Sequence, residues 1–369
     1  MSDGAILSRR TFLATTAAVA AATAARVRAN PPQEKTAGFA LVGIGKLSME
    51  QILPAFANCK RARPVALVSG HPDKAKQQAG MYGIDPKNIY NYENFDSIKD
   101  NPAIDVVYVV LPNSMHAEYT IRAAKAGKHV LCEKPMATSV EDCQAMIDAC
   151  KTAGRKLTIG YRLHYEPLTK KAIELARSAE AVGTIKQITA EGGFSIGDPT
   201  QWRLNRKLAG GGSLMDIGIY ALNATRYLSG QEPVEVTAVS YSTPGDPRFK
   251  EVEETIEFQL RFASGLVASC LSSYGFGCNR FRVYGTNGQI ESEPFLSYQG
   301  DRLWQIRGPS REEVKLEPAN HFASEMEHFS GCVLDDKSTL TPGEEGLKDV
   351  KTMMAIYESA RTGKAVKLA

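Results

Sequence analysis

Phe39-Ala40-Leu41-Val42-Gly43-Ile44-Gly45-Lys46-Leu47-Ser48 decides the fold: an apolar run ends in a Gly-x-Gly turn, and helix-forming sequence follows at 49–59. Gly43 permits the tight turn and Gly45 lets a pyrophosphate approach the backbone, while the following helix points its positive end at the phosphates. Ser48 stands where the usual dinucleotide fingerprint has its third glycine. Further strands are expected at 64–69, 105–111, 128–132 and 156–160, with helices at 73–82, 115–126 and 140–153 between them. Val106-Val107-Tyr108-Val109-Val110 is apolar on both faces, as in a parallel sheet covered on two sides. Residues 30–160 therefore read as a Rossmann-type, doubly wound dinucleotide-binding domain.

After Tyr161 the pattern changes to longer alternating strands, at 185–193, 234–241, 255–262, 267–273 and 280–285, bounded by Gly, Pro and Asp turns. Helices are expected at 319–334 and 343–362, the second with a cap residue and early acids in Thr341-Pro342-Gly343-Glu344-Glu345. The chain is thus α/β, with residues 161–369 forming an α+β domain on an open, mostly antiparallel sheet. Substrate binding and dimerisation are expected there.

The second strand selects the nucleotide. An acid about 20 residues after the glycines would hold the ribose 2′-hydroxyl of NAD, yet no Asp or Glu occurs from Gln51 to Pro72. Ser69-Gly70-His71-Pro72-Asp73-Lys74 offers a hydroxyl, a free backbone and a lysine, which suit a 2′-phosphate. NADP is the expected cofactor, with Ser69 and Lys74 as binders.

Residues 1–29 carry Ser8-Arg9-Arg10-Thr11-Phe12-Leu13, an Ala/Thr-rich run and Val27-Arg28-Ala29, the pattern of a twin-arginine export signal cleaved after Ala29. That run is too short and weakly apolar to span a bilayer, so a periplasmic protein free of the membrane is expected. Such export carries folded proteins, so the cofactor would be loaded beforehand and recharged in place by a second substrate. Losing the signal takes the formal charge from +3 to 0. That balance sets nucleic acid aside. Seven cysteines without a Cys-x-x-Cys read as buried thiols, and His321 with His328 lack a third ligand, so no metal is expected.

Cys132-Glu133-Lys134-Pro135 ends a later strand, at the edge where such sheets bind ligands. Ala209-Gly210-Gly211-Gly212-Ser213 leads into a helix start on which Asp216 and Tyr220, four apart, share a face. A lysine, a carboxylate and a phenol form a workable set for moving a proton off a sugar hydroxyl. Tyr220 is the expected proton carrier, supported by the Lys134 ammonium.

Glu133-Lys134-Pro135 with Asp216-x-Gly-x-Tyr220 resembles the glucose-fructose oxidoreductase/inositol dehydrogenase family. Leu111-Pro112-Asn113-Ser114-x-His116-Ala117-Glu118 and Trp202-Arg203-Leu204 extend the likeness over nearly the whole mature chain, and Tyr220 in place of His is similar to the exported, sugar-oxidising branch. The resemblance implies tightly held NADP, oxidation of an aldose at C1 to the lactone, and reduction of a second sugar, aldose or ketose. It implies Lys134 and Tyr220 as the acid/base pair and Asp216 as the substrate-orienting partner. Cofactor contacts are implied from Gly43, Ile44, Gly45, Lys46, Leu47, Ser69, Gly70 and Lys74. Later in the chain they are implied from Tyr92, Leu111, Asn113, His116, Glu133, Lys134, Arg162, Trp202, Arg203 and Tyr298. Only Asn30 to Ala37 precede the first strand, so the long arm of exported relatives is absent and a homodimer is expected. Two other readings stay open: a sugar dehydrogenase whose NADP exchanges, and a non-catalytic NADP or sugar sensor.

Overall fold

The structure, a computed structural model, describes residues 35–368; the segment read as an export signal lies outside the described residues. Strands β1 (Ala37–Val42), β2 (Ala62–Val68), β3 (Ile89–Tyr90), β4 (Val106–Val109), β5 (His129–Glu133) and β6 (Leu157–Gly160) form one sheet in the order β3-β2-β1-β4-β5-β6. Every pair is parallel. β1 alternates between two cores: Phe39 and Leu41 pack with Ile52 and Phe56, whereas Ala40 and Val42 pack with Phe95 and Val107. This is why β1 and β4 are apolar at successive positions. Helices α1 (Pro72–Tyr82), α2 (His116–Lys125) and α3 (Val140–Thr152) provide the crossovers.

The helix expected at 49–59 is composite. A π turn over Ser48–Ile52 passes through Leu53–Ala55 into a 3-10 turn at Phe56–Asn58. Pro54 has no N–H to give back to residue 50, so a regular α-helix is broken there. Ser48 is fully buried and its hydroxyl donates to Gly43 O at 2.6 Å, bracing the turn from within.

The second sheet uses β7 (Ile185–Gly193), β8 (Pro233–Tyr241), β9 (Thr255–Phe262), β10 (Val267–Ser273), β11 (Cys278–Gly285), β12 (Gln289–Ser292), β13 (Leu303–Arg307), β14 (Ser310–Val314) and β15 (Val366–Lys367). Their order is β14-β13-β12-β11-β7-β10-β9-β8-β15, antiparallel except between β7 and β10. Ile256, Phe258, Leu260 and Phe262 of β9 are buried, and the alternate residues are exposed. Thus one face of this sheet carries the core. Helices α4 (Pro167–Ala176) and α5 (Ile219–Ser229) belong to this half.

Two C-terminal helices then tie the halves together. Phe322, Met326 and Phe329 of α6 (His321–Leu334) join the core of Phe39 and Leu41, although they lie some 280 residues further on. The second, α7 (Gly343–Thr362), packs on both α3 and β8. Its expected cap is corrected: Thr341 makes no cap bond, and its hydroxyl donates to Ile159 O at 2.8 Å. α4 escapes a reading by periodicity but has a clear local start, with the Glu166 carboxylate accepting from the amides of Leu168 and Thr169. The seven cysteines are free, five of them buried, and burial pushes the Cys143 and Cys150 thiols up to about 12. Among the described residues no helix is long and apolar enough to cross a membrane.

Candidate active site

Two groups of residues carry the expected chemistry. The first lies after β1, at the point where the sheet order reverses between β1 and β4. Gly43 has φ 94°, and a side chain there would also strike the Val110 carbonyl. A Cβ at Gly45 would meet nothing within 4 Å, which leaves room against the backbone at the start of the helical run. Lys74 Nζ donates to Ile44 O at 3.3 Å, so its ammonium sits over the same turn. Tyr92 walls this hollow beside Gly70, and Lys46 extends from it with 84% of its side chain exposed. An open backbone at a helix start with a lysine alongside fits a dinucleotide phosphate. Ser69 is buried and its hydroxyl accepts from the His71 amide at 3.0 Å, turning the chain into α1 and leaving its own proton to donate.

The second group gathers buried charge. Lys134, at the end of β5, donates from Nζ to Asp216 O at 2.7 Å and lies 3.5 Å from Asp216 Oδ1. The same ammonium is 4.8 Å from the centre of the Tyr220 ring. Asp216 Oδ2 accepts from Arg203 Nε at 2.9 Å and from the Tyr274 hydroxyl at 3.1 Å. Burial works to raise the Asp216 carboxyl, but Arg203 and Lys134 outweigh it and hold the group below the usual range. Burial likewise opposes the Lys134 charge, yet Tyr220, Asp216 and Glu133 hold its ammonium above the usual range. Asp216 and Tyr220 do lie in one helical run, but Leu214–Gly218 is a π turn that precedes α5, not its first α turn.

Arg162 completes this group. Its guanidinium stands 5.2 Å from the Tyr220 ring centre and 4.8 Å from that of Tyr298. Its Nη1 donates to Ser297 O at 3.0 Å and to His321 Nδ1 at 2.9 Å. His321 is held down to about 4 by burial and by this neighbouring charge, so it accepts as a neutral ring. Trp202 packs under Arg203, with the guanidinium 4.7 Å from its ring. Two cations therefore share the Tyr220 ring.

Several of the residues expected at the cofactor make contacts within the protein. Asn113 Nδ2 donates to Ala209 O at 2.8 Å, and the His116 ring is clamped between the carbonyls of Pro135 and Leu111 at 2.8 and 2.9 Å. The Glu133 carboxylate turns into the core and accepts from the Tyr108 hydroxyl at 2.8 Å. Leu111 is buried beside the turn after β1, against the place a Gly43 side chain would take.

Sequence reasoning missed three residues here: Tyr274, Glu253 and Glu325. Glu253 accepts from the amides of Gly212 and Leu214 at 2.9 and 3.0 Å and from the Tyr357 hydroxyl at 2.9 Å, which fixes the glycine turn ahead of Asp216. No motif surrounds these residues; only a run of glycines needing an anchor hinted at Glu253. Of the two histidines weighed as ligands, His321 bonds Arg162, and His328 accepts from the Leu340 amide at 3.1 Å. Among the described residues no group of three or more His, Cys, Asp or Glu could hold a metal ion.

Comparison with known proteins gives a consistent result. Residues 37–161 match an oxidoreductase family with an NAD-binding Rossmann fold, and residues 178–368 match that family's C-terminal alpha/beta domain. The chain is 33% identical to D-xylose 1-dehydrogenase [NADP(+)] of Haloarcula marismortui, over 91% of this chain and 96% of that protein. It is 28% identical to 1,5-anhydro-D-fructose reductase of Ensifer adhaerens, over 89% and 98% respectively. Among solved structures, aldose-aldose oxidoreductase from Caulobacter crescentus, complexed with glycerol, aligns with TM-score 0.89 and 50% identity. That alignment covers 90% of this chain and 100% of the other.

Proposed function

The chain belongs to the oxidoreductase family that joins an NAD-binding Rossmann fold to a C-terminal alpha/beta domain, and we propose that it is a periplasmic, NADP-dependent sugar oxidoreductase that keeps its cofactor. It oxidises an aldose at C1 to the aldonolactone and reduces a second sugar to the alditol. The observation that carries this reading is the meeting of Lys134, Asp216 and Tyr220, with Lys134 Nζ 3.5 Å from the Asp216 carboxylate and 4.8 Å from the phenol ring centre. The 50% identity to an aldose-aldose oxidoreductase supports the choice of two aldoses. NADP, when bound, supplies the two-electron carrier.

The residues divide the remaining work. Gly43 and Gly45 open the backbone to the pyrophosphate, and Lys74 offers charge to a 2′-phosphate. Tyr220 takes the proton of the sugar hydroxyl, and the charges of Lys134 and Arg162 on its ring stabilise the negative charge that develops on the phenol oxygen. Asp216, fixed by Arg203 and Tyr274, accepts from a neighbouring sugar hydroxyl. The proton that Tyr220 takes from the donor is then returned to the acceptor. The solvated face of the second sheet, where Val239 and Tyr241 are 66% and 58% exposed, supports a homodimer through that surface.

Dialysis of the purified mature protein tests this reading. Cofactor absorbance should persist, and two sugars should turn over with no added nucleotide. Loss of the cofactor, with activity dependent on added NADP, would replace it with an exchanging dehydrogenase.

A further inference from the structure

A cavity of 580 Å³ adjoins the catalytic group without including Lys134, Asp216 or Tyr220. Gln51 and Asn58 line it from the first helical run, Tyr298 and Asp301 from the loop between β12 and β13, and Asn320 from the cap of α6. Small-ligand pockets run roughly 300–1,000 Å³, so the space suits a small molecule. Tyr298 is its shared wall with the active site: the ring is 48% exposed, and Arg162 lies between it and Tyr220 at 4.8 and 5.2 Å from the two ring centres.

The lining narrows the ligand. It contains no lysine or arginine, which argues against a phosphate or a carboxylate. Glu166 has already committed both carboxylate oxygens to the α4 cap. Asp301 Oδ1 accepts from the Ser297 amide at 2.9 Å, whereas its Oδ2 is buried with no partner. Burial pushes this carboxyl up to about 7, so near neutral pH it both donates and accepts, as the amides of Gln51 and Asn58 do, while Asn320, whose Oδ1 caps α6, offers its amide N–H groups. Mixed donors and acceptors beside an aromatic face match an uncharged polyol, with its alternating hydroxyls and its C–H surface.

We propose that this cavity is a second binding site for an uncharged polyhydroxylated ligand, a sugar or its alditol, lying against Tyr298 and held by Asp301, Asn58 and Asn320. Resting on the two-sugar reading above, the site holds the acceptor sugar one residue layer away from the reacting one. It makes the acceptor's local concentration independent of when the lactone leaves.

Equilibrium dialysis of cofactor-loaded protein against labelled xylitol counts the sites. Two per chain are expected, and Asn58→Trp, which fills the cavity from an exposed helix end, should leave one. In single-turnover experiments the variant should reduce its bound cofactor with aldose at the wild-type rate. It should need about tenfold more acceptor for reoxidation, the worth of one or two lost hydrogen bonds. Asp301→Asn should remove the change in xylitol affinity around pH 7. One xylitol per chain in the wild type, or an Asn58→Trp variant with two sites and an unchanged acceptor dependence, would overturn the proposal. If no aldose reduces the cofactor, the sugar-oxidoreductase reading falls instead, and the xylitol count still decides the cavity.

Discussion

At the turn after β1 the exposed residues are Gly45 and Lys46, the lysine already in solvent, and only Gly43 is held in a conformation that other residues avoid. Around Lys134 the arrangement is reversed. Lys134 after β5, Arg203 of the Trp202–Leu204 turn and Asp216 of the Leu214–Gly218 turn are largely buried together, the one carboxylate offsetting both cations, and Arg162 of the Arg162–Tyr165 turn is buried against carbonyls, His321 and aromatic rings. A site made of backbone and solvated charge loses little when one side chain is removed. A site made of buried, mutually compensating charges does not, because removing one strands the rest.

The largest expected effect falls in the buried group. Tyr220→Phe should lower turnover by roughly 10²–10⁴, the usual worth of a positioned acid/base group, while cofactor absorbance and melting temperature stay at wild-type values. Unchanged turnover would move the proton carrier elsewhere. Asp216→Ala leaves Lys134 and Arg203 facing each other without their carboxylate. With these side chains still 12–33% exposed, the loss in denaturant-measured stability should be about 2–3 kcal/mol, below that of a fully buried pair.

Glu325 sharpens the contrast from beneath the site. Its side chain is fully buried, and it lies 3.4 Å from the Tyr108 hydroxyl that also holds Glu133. Burial, then the charge of Glu133, holds its carboxyl well above the usual range. In the unfolded chain it releases its proton near pH ~4.3, so its contribution to stability is complete below that pH and declines as pH rises toward the folded value. Glu325→Gln should abolish this decline. Urea unfolding at pH 5 and pH 8 should show the variant losing less stability than wild type over that interval; equal slopes would mean that another group titrates.

The cradle should give the smaller responses. Lys74→Ala should weaken NADP by about 1 kcal/mol and NAD by less, the range for one charge-assisted contact at a partly exposed site. Lys46→Ala should shift either nucleotide by no more than ~0.5 kcal/mol. A Lys46 effect as large as that of Tyr220 would erase the distinction between the two regions.

Legibility follows the same division. The Gly43–Gly45 turn and the apolar runs of β1 and β4 could be read because their information is local: dihedral freedom, and burial on both faces. β7, β9 and β10 were legible from their two-residue alternation. β14, Ser-Arg-Glu-Glu-Val, was not, because an edge strand paired on one side needs no apolar face. Asn113 and His116 sit in a motif that suggested ligand contact, yet their side chains brace Ala209, Leu111 and Pro135. A motif records that a side chain is needed, not which atom it meets.

Sequence alone determined the doubly wound first half and the alternating second half, and it singled out Lys134, Asp216 and Tyr220 as candidates, since periodicity and residue chemistry are properties of short stretches. Tertiary structure decided that Arg162 joins Tyr220, that Tyr274 and Arg203 hold Asp216, and that α6 returns to pack on β1. Each of these contacts joins residues far apart in the chain. Which charges neutralise one another is settled only when burial removes the water that would otherwise have screened them.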